Sequence, residues 1–450
     1  MNDDRITLIV SDLHVGGGPA DAGDDHVYHN NQLVNFVRAQ GATPEGLDGR
    51  LELFFNGDFL EFAQTDVKAF SLVSDKCWCT EVESLRKLET ILKGHPEIFE
   101  ALRDFQKPGN VVTIAAGNHD VDLYWAKVQA RLREVAGAGL RFEIGQDWIE
   151  RYDGKLQVGH GHMSDVANRF ENWAHPVVTT QWGIECLEMC PGTLFMVKFV
   201  NKLEAQYPFA DNLLPVTKLA SVLLRDDKSG FASVGWMFTR LVATTSPTTL
   251  GTDTGEDYGT RLLGLVQGSR SRAARLAAIL QEQDMEEDRQ LLAARALTQE
   301  RLASLMFALL GRLDMRTRQS LFDLSDTGVD LGTDNVTLAA IVRANLVDGK
   351  IELKKVAKKR GTLKNASVVV MGHTHQADEL EWNGGKYYNP GCWTRYLELE
   401  PGRSITLEDL KEESKYPYAL NFVRVERQGD SLASEMVNID QYVPPCAVMP

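Results

Sequence analysis

Cysteine is scarce in this chain, and its spacing matches no common framework. Six cysteines occur among 450 residues, and no two of them form a CxxC pair. This density is too low for a disulfide-stapled scaffold, and the pairs Cys77/Cys79 and Cys186/Cys190 lack the spacing of a structural zinc site. We therefore expect reduced thiols and a cytoplasmic protein.

Long apolar runs are also missing. No stretch approaches the roughly 18 consecutive apolar residues that a transmembrane helix requires. The first residues, MNDDRITLIVSD, lack both the basic segment and the apolar segment of a secretory signal. We expect neither a signal peptide nor a membrane span.

The chain has no excess of positive charge. Lys and Arg number 48 against 63 Asp and Glu, which gives a net charge of −15. Binding to nucleic acid or to an anionic membrane would therefore depend on a local basic patch. One dense basic cluster occurs, at residues 354–360. It is either a solvated helix face or a surface that contacts a phosphate-rich substrate or membrane headgroups.

What the chain does contain is the pattern of an α/β protein. Hydrophobic residues make up 43% and charged residues 25%, which are globular proportions. Apolar runs that end in polar residues, as in strands buried on both faces, lie at 6–12, 51–58 and 110–120. Helical patterns lie at 30–40, 81–92 and 96–106. This alternation predicts parallel strands joined by helices.

The middle of the chain differs in character from both ends. Residues 164–361 carry apolar residues mostly at helical spacing, divided by a loop rich in Thr, Gly and Ser at 244–260. Strand patterns flank this region, in a predicted hairpin at 148–162 and again from 366 onwards. We therefore predict one α/β core, formed by residues 1–163 and 362–450, that is interrupted by a helical insertion or cap over 164–361.

Residues that can bind metals follow the predicted strands. Six of the ten histidines fall in short motifs, and two carboxylates fall in another: Asp12-Leu-His14, Gly57-Asp58-x-x-Glu61, Gly117-Asn118-His119-Asp120, His160-Gly-His162 and Gly372-His373-Thr-His375. The carboxyl ends of the strands are the usual place for a site in an open α/β sheet. In an extended segment residues i and i+2 face the same way, so a pair of ligands can aim at one point.

This set of side chains predicts a dinuclear metal centre. Mixed His, Asp and Asn ligands suit divalent ions such as Mn, Fe, Zn, Ni or Mg, and no thiolate is among them. Two ions ~3.5–4 Å apart require a shared ligand. Asp58 is the candidate, because Gly57 before it lets the chain turn tightly. We expect two divalent ions, with Mn²⁺ as the first choice, and no other cofactor.

The motifs DxH, GDxxE, GNHD, HGH and GHTH, in this order, resemble those of the calcineurin-like metallophosphoesterases. The resemblance covers residues 6–162 and 366–396. It implies a two-sheet βαβ sandwich, here with a large helical insertion, and hydrolysis of phosphate esters by a phosphodiesterase, pyrophosphohydrolase or phosphatase. The segments SDLHVG and NGDFLEF are similar to the branch that contains UDP-2,3-diacylglucosamine pyrophosphohydrolase. Members of that branch often carry Arg where this chain has His119, so a broader specificity is expected.

The resemblance also implies a role for each motif residue. The implied ligands are Asp12, His14 and His375 for one ion, Asn118, His160 and His373 for the other, and Asp58 as the bridge. Two dications lower the pKa of a bridging water, so that hydroxide is available as the nucleophile near pH 7. His119 would stabilise the transition state and protonate the leaving oxygen as the general acid. Glu61 stands where many members have Asp and would orient His119, while Asp120 is either catalytic or a structural hydrogen-bond partner.

Several alternatives stay open from the sequence. His160 and His162 compete for one ligand position; the family pattern favours His160, which leaves His162 as a substrate contact or a buried polar residue. Arg395 could hold a phosphate bidentately or form a surface salt bridge.

The expected substrate is a small-molecule or lipid-linked phosphate ester, and peripheral contact with a membrane is compatible with it. A nuclease of the double-strand-break repair type is a second hypothesis, against which the net charge of −15 argues. A catalytically inactive binding or scaffold protein is the third.

Overall fold

The computed structural model describes the strands and helices at both ends of the chain and part of its middle. The described residues are 5–21, 24, 31–65, 78–165, 167–180, 183–204, 207–210, 212–214, 270–282, 284–294, 296, 305, 349–398 and 405–439. The chain divides into two compact units. The core unit comprises Met1–Thr193, Gly349–Arg395 and Pro417–Pro450, and the second unit comprises Leu194–Asp348 and Tyr396–Tyr416.

Strands and helices alternate in the first third of the chain. The strands are, in chain order, β1 (Ile6–Val10), β2 (Leu51–Asn56), β3 (Val111–Ala115), β4 (Arg141–Glu143), β5 (Ile149–Arg151), β6 (Leu156–Val158), β7 (Val177–Thr179), β8 (Glu185–Leu187), β9 (Leu213–Leu214), β10 (Val368–Val370), β11 (Asp378–Trp382), β12 (Gly385–Asn389), β13 (Leu397–Glu398), β14 (Asn421–Gln428) and β15 (Ser431–Asn438). The α-helices are α1 (Gln32–Gly41), α2 (Pro44–Leu47), α3 (Glu81–Gly94), α4 (Pro96–Phe105), α5 (Ala126–Ala136), α6 (Pro191–Phe195), α7 (Asn201–Glu204), α8 (Arg270–Glu282), α9 (Glu286–Ala293) and α10 (Gly349–Lys364). The predicted α/β class is confirmed.

The first sheet has six strands in the order β15-β14-β1-β2-β3-β4. Strands β1 to β4 are parallel, and β14 pairs antiparallel with β1. Every residue of β1, β2 and β3 is buried, as their continuous apolar runs predict. The helices predicted between these strands are present, and local signals start two of them. Thr80 and Glu83 form a capping box before α3, and Pro96 is the first residue of α4.

The second sheet has five strands in the order β11-β12-β10-β6-β5. It contains two hairpins, and the first, β5–β6, is the one predicted at 148–162. The β5–β6 turn places Asp153 and Gly154 at φ 55° and 83°, in the left-handed region that such turns use. The β11–β12 turn contains Gly384 at φ 93°.

The two sheets share one apolar core. Side chains from β1, β2 and β3 pack in the same buried cluster as side chains from β5, β6, β10 and β14. Strand β10 shows how alternation divides the layers, because Val368 and Val370 join this shared core. Val369 between them packs instead with Leu353 and Ala357 of α10. On the first sheet, Phe36 of α1 contacts Phe422 of β14.

Helix α10 carries the basic cluster at residues 354–360. Three of its cations have partners: Lys354 pairs with Asp378 (2.7 Å), Lys355 with Glu352 (2.6 Å), and the Arg360 guanidinium lies over the Trp148 ring. The Lys355 side chain is 65% exposed, whereas those of Lys354 and Arg360 are 33% and 19% exposed. Contact with a membrane or a substrate through this cluster stays a prediction.

The unit boundaries differ from the predicted ones at three places. Residues 164–193 belong to the core unit and contain the antiparallel pair β7–β8, although the sequence assigned them to the helical insertion. Helix α10 also belongs to the core unit, since its apolar face covers the outer side of the second sheet. Residues 396–416 fall in the second unit, where β13 pairs with β9. The loop predicted at 244–260 lies outside the described residues.

The described cysteines are not all free thiols. Cys186 is disulfide-bonded, so the expectation of fully reduced thiols is wrong at this position. Cys79, Cys190 and Cys392 are free and buried. Among the described residues, no helix has the length and apolarity needed to cross a membrane.

Candidate metal centre

The predicted ligands follow the carboxyl ends of β1, β2, β3, β6 and β10. Because β1, β2 and β3 are parallel, as are β6 and β10, the residues that follow them can meet at one edge of the paired sheets. Six of the seven predicted metal ligands fall in two compact groups. The first donor group is Asp12, His14 and His375, and the second donor group is Asp58, His160 and His373. In each group the ligand-capable atoms lie within 4.8 Å of one another.

The first donor group converges through its imidazole rings. The Nε2 atoms of His14 and His375 lie 3.1 Å apart, and Nε2 of His375 lies 3.5 Å from Oδ1 of Asp12. Asp12 is fully buried, and burial raises its pKa. The Asp12 carboxylate also accepts a hydrogen bond from the main-chain N–H of His373 (3.0 Å), which belongs to the second donor group. The two groups are therefore adjacent.

The second donor group is built around a buried ion pair. Nε2 of His160 lies 3.1 Å from Oδ2 of Asp58, and both side chains are buried. Burial opposes ionisation of Asp58, but the neighbouring His160 and His119 outweigh it and hold the Asp58 pKa well below its usual range. Burial likewise lowers the His160 pKa, but the charges of Asp58 and Asp12 prevail and raise it to about 9. Asp58 is therefore ionised in this pocket, and its charge is balanced by His160.

The backbone at these ligands is unusual. Ten non-glycine residues of the described chain have a positive φ, and five of them are Asp12, His14, Asp58, His373 and His375, at 54°, 49°, 50°, 71° and 59°. Residues other than glycine rarely adopt this backbone region, and each one that does raises the free energy of the folded chain by on the order of 1–3 kcal/mol. Strain of this kind persists where the surrounding structure holds a functional geometry. Half of the positive-φ non-glycine residues of the described chain therefore lie in the two donor groups.

Glycines in the motifs leave room for the donors. A Cβ on Gly117 would lie 2.2 Å from Oδ1 of Asp58 and 2.8 Å from Nε2 of His160. A Cβ on Gly372 would lie 2.5 Å from Oδ2 of Asp12. Any other residue at either position would displace a donor atom, which explains the GN and GH steps in the sequence.

Asn118, the seventh predicted ligand, lies in the turn beside Asp58. The next residue, His119, donates its main-chain N–H to Oδ1 of Asp58 (2.9 Å). The Asn118 side chain is buried, and its Oδ1 has no hydrogen-bond partner within the described part of the chain. An unpaired buried acceptor costs about 1–3 kcal/mol, and a bound cation would satisfy it.

Glu61 contacts His119, as its predicted orienting role requires, and also contacts His14. Its Oε2 accepts hydrogen bonds from Nδ1 of His119 and from Nδ1 of His14, both at 2.7 Å. Burial opposes the Glu61 charge, but His119 and His14 outweigh it and lower the Glu61 pKa to about 2. Burial also opposes the His119 charge, but Glu61 and Asp58 raise the His119 pKa to about 10. The longer Glu side chain therefore reaches both rings.

Asp120 binds main-chain N–H groups, and that of Asp58 in the second donor group is one of them (3.3 Å). Its carboxylate accepts N–H bonds from Gly117 (2.6 Å), Phe59 (2.9 Å) and Leu60 (3.4 Å). Burial, followed by the charge of Asp58, raises the Asp120 pKa to about 7. These contacts tie the turn after β3 to the turn after β2, which is a structural role; its catalytic assignment stays a prediction.

His160 and His162 lie in different surroundings. Only His160 joins a donor group. The His162 ring packs edge-on against Trp173, with centroids 4.4 Å apart, and lies 5.8 Å from Phe170. Neither ring nitrogen of His162 has a partner among the described residues, and burial holds its pKa well below the usual range. The structure therefore groups His160 with the donors and places His162 in an aromatic cluster.

Arg395 lies in the loop that follows the second sheet. Its guanidinium stacks over the Tyr418 ring, 4.4 Å from the centroid. The same loop reaches the site, because Trp393 donates its main-chain N–H to the Asp12 carbonyl (3.0 Å). Contact between Arg395 and substrate stays a prediction.

Two partners of the donor groups were not found from the sequence. The main-chain carbonyl of Asn56 accepts a hydrogen bond from Nδ1 of His160 (2.8 Å), and Oδ2 of Asp165 accepts one from Nε2 of His373 (3.1 Å). The HGH motif ends three residues before Asp165, and no spacing in the sequence distinguishes this carboxylate. A main-chain carbonyl leaves no sequence signal at all.

Comparison with known proteins adds no family to this picture. No protein-family model matches the chain, and no curated protein matches it either.

Proposed function

We propose that this chain is a dinuclear, divalent-metal-dependent hydrolase of phosphate esters. The observation that carries the proposal is the pair of adjacent donor groups, each with one carboxylate and two imidazoles, next to an imidazole braced by a buried carboxylate. Phosphoryl-transfer sites with two ions need this juxtaposition of ligands and proton donor. The calcineurin-like resemblance of the five motifs supports the same assignment.

The donor set fits divalent ions. Imidazole with carboxylate and amide oxygens suits Mn, Fe, Zn or Ni, and the groups contain no thiolate. The orphaned Oδ1 of Asn118 supplies a further oxygen beside the second donor group. Three of the four donor histidines have their other ring nitrogen engaged, as metal-binding histidines usually do. When bound, the ions would activate water and neutralise charge on the phosphoryl oxygens.

The side chains of this chain would then bind the two ions and deliver a proton. The first donor group would hold one ion, and the second donor group with Asn118 would hold the other. Asp58, whose carboxylate contacts Nε2 of His160 and accepts the main-chain N–H of His119, would be the shared ligand. Glu61 fixes Nδ1 of His119, so that Nε2 is the nitrogen that would deliver a proton to the leaving oxygen.

The site also constrains the substrate. The side chains of His375 and His119 are 28% and 15% exposed, whereas Asp12, Asp58 and Glu61 are buried, so the groups open to solvent on the imidazole side. The net charge of −15 disfavours long polyanions. We propose a phosphodiester, pyrophosphate or phosphomonoester of a small or lipid-linked molecule.

The test uses the full chain, stripped of metal and reloaded in turn with Mn²⁺, Zn²⁺, Ni²⁺, Fe²⁺ and Mg²⁺. Bis-p-nitrophenyl phosphate and p-nitrophenyl phosphate are the two substrates. Turnover that depends on added metal is the expected result, and the diester-to-monoester ratio assigns the substrate class. Two ions bound per chain with no turnover on either ester would contradict hydrolysis and favour the binding-protein hypothesis.

A further inference from the structure

The histidines of the donor groups share a feature beyond their convergence. His14, His160 and His373 each direct one ring nitrogen at an acceptor outside the groups. For His14 the acceptor is Glu61, for His160 it is the Asn56 carbonyl, and for His373 it is Asp165. Such outer acceptors fix the tautomer and orientation of a metal-binding imidazole and raise its basicity.

We propose that Asp165 is a positioning residue that orients His373 for the second ion. This inference rests on the proposed function, since it assumes that the second donor group binds an ion. The contact is Nε2–H of His373 to Oδ2 of Asp165 at 3.1 Å, between side chains that are 10% and 24% exposed. With the proton held at Nε2, the lone pair that would be available to an ion is that of Nδ1.

Asp165 is itself held in place by its own segment. Its Oδ1 accepts the main-chain N–H of Ala167 (2.9 Å), and its Oδ2 also accepts from Nδ2 of Asn168 (2.8 Å). The N–H of Asp165 donates to the carbonyl of His162 (3.0 Å), which closes the short turn after β6. A carboxylate with this many partners is fixed before an ion arrives, so it can hold the His373 ring without further ordering.

The assignment links the second donor group to a part of the chain outside the motifs. Gly192 donates its N–H to the carbonyl of Ala167 (2.7 Å), so residues 165–168 are connected to the start of α6. Geometry at this segment would therefore set the affinity for one ion and leave the first donor group unaffected.

The experiment measures Mn²⁺ binding to the metal-stripped full chain by calorimetry, with total metal per chain as a second readout. Asp165→Asn keeps the size and one acceptor for Ala167 but removes the charged acceptor of the His373 N–H. We expect affinity for one of two ions to fall about 10–100-fold, with the other unchanged. Glu188→Gln is the matched control, because Glu188 is also half-buried and also accepts main-chain N–H bonds, from Glu171 and Asn172. It should leave both affinities unchanged.

Two further variants keep the result decisive. His373→Ala should weaken the same ion, and adding Asp165→Asn to it should cause no further loss; an additive loss would mean that Asp165 acts elsewhere. If Asp165→Asn does not fold, Asn168→Ala removes the donor to Asp165 and should weaken the same ion by a smaller factor. Folded variants with both affinities at the wild-type value would overturn the proposal. A wild-type chain that binds fewer than two ions would contradict the proposed function instead.

Discussion

The two donor groups have the same composition, one Asp and two His, but they are supported differently. The first group shares a supporting carboxylate with His119, because Glu61 accepts hydrogen bonds from both His14 and His119. The second group is braced by a main-chain carbonyl and by Asp165, and neither of these contacts His119. Under the proposed function, a single carboxylate would couple ion binding to the proton donor on one side only.

His119 nevertheless touches both sides. Its side chain bonds Glu61, and its main-chain N–H bonds Asp58 of the second group. Because Glu61 contacts both His14 and His119, we expect changes around the first group to alter ion affinity and proton transfer together. Changes around the outer partners of the second group should alter ion affinity alone.

The largest effect is expected at Asp58, the proposed shared ligand. Asp58→Asn removes the charge beside His160 and weakens the acceptor of the His119 N–H. We expect a loss of turnover greater than the 10–100-fold typical of outer-shell partners, together with loss of the second ion. Metal content and kcat measure the two effects. Asp104→Asn, an exposed carboxylate paired with Lys107, is the control. An Asp58→Asn enzyme with normal kcat would remove Asp58 from the centre.

His119→Ala separates chemistry from ion binding. Both donor groups stay intact, so two ions should still bind, while kcat falls about 10²–10⁴-fold through loss of the general acid. His175→Ala is the matched control, since His175 is exposed and bonds the Tyr124 hydroxyl outside the site. A kcat equal to that of the control would disprove the acid assignment.

His160 and His162 give the sharpest test within the second group. His160→Ala removes a donor, so affinity for the second ion should drop beyond the roughly 10–100-fold of an outer partner. His162→Leu should keep both ions, because His162 packs against Trp173 and belongs to neither group. Metal counts per chain decide between them. The reverse pattern would mean that His162 is the ligand.

Much of this site could be predicted from the sequence, because strand ends are local signals. Apolar runs that end in Asp12, Asp58 and Asn118 place those residues at one sheet edge once the strands are parallel. Asp165 could not be found this way, since its partner His373 is distant in the chain and no periodicity joins them. The predicted end of the helical insertion differs from the observed unit boundary for a related reason. The sequence of α10 has the same helical pattern as the insertion, and its place in the core is seen only from its packing against Val369.

Glu61→Gln addresses the coupling on the first side directly. The variant keeps an acceptor but loses the charge that holds two imidazoles. We expect affinity for the first ion and kcat to fall together, each about 10–100-fold. Asp165→Asn should lower the affinity for the second ion. Its kcat, measured at saturating metal, should stay at the wild-type value. If Glu61→Gln lowers kcat but leaves both affinities unchanged, the coupling through His14 does not exist.

The smallest effect is expected from a glycine outside both groups. A Cβ on Gly192 would lie 2.0 Å from Oδ1 of Asn168, so the Asn168 side chain must rotate and its Nδ2 must leave Asp165. One lost hydrogen bond of about 1 kcal/mol corresponds to about a fivefold change in an equilibrium constant. Gly192→Ala should therefore weaken the second ion about fivefold in Mn²⁺ calorimetry and leave the first ion and kcat at saturating metal unchanged.

The control for this variant is Gly41→Ala, where the new Cβ would meet only Phe105 at 3.5 Å, an ordinary contact. Both variants add one methyl group, but only Gly192→Ala displaces a partner of Asp165. A folded Gly192→Ala chain with the same affinity for both ions as Gly41→Ala would show that Asn168 does not hold Asp165 in place. A fivefold loss confined to one ion would instead show that the second donor group, unlike the first, is tuned from outside the motif residues.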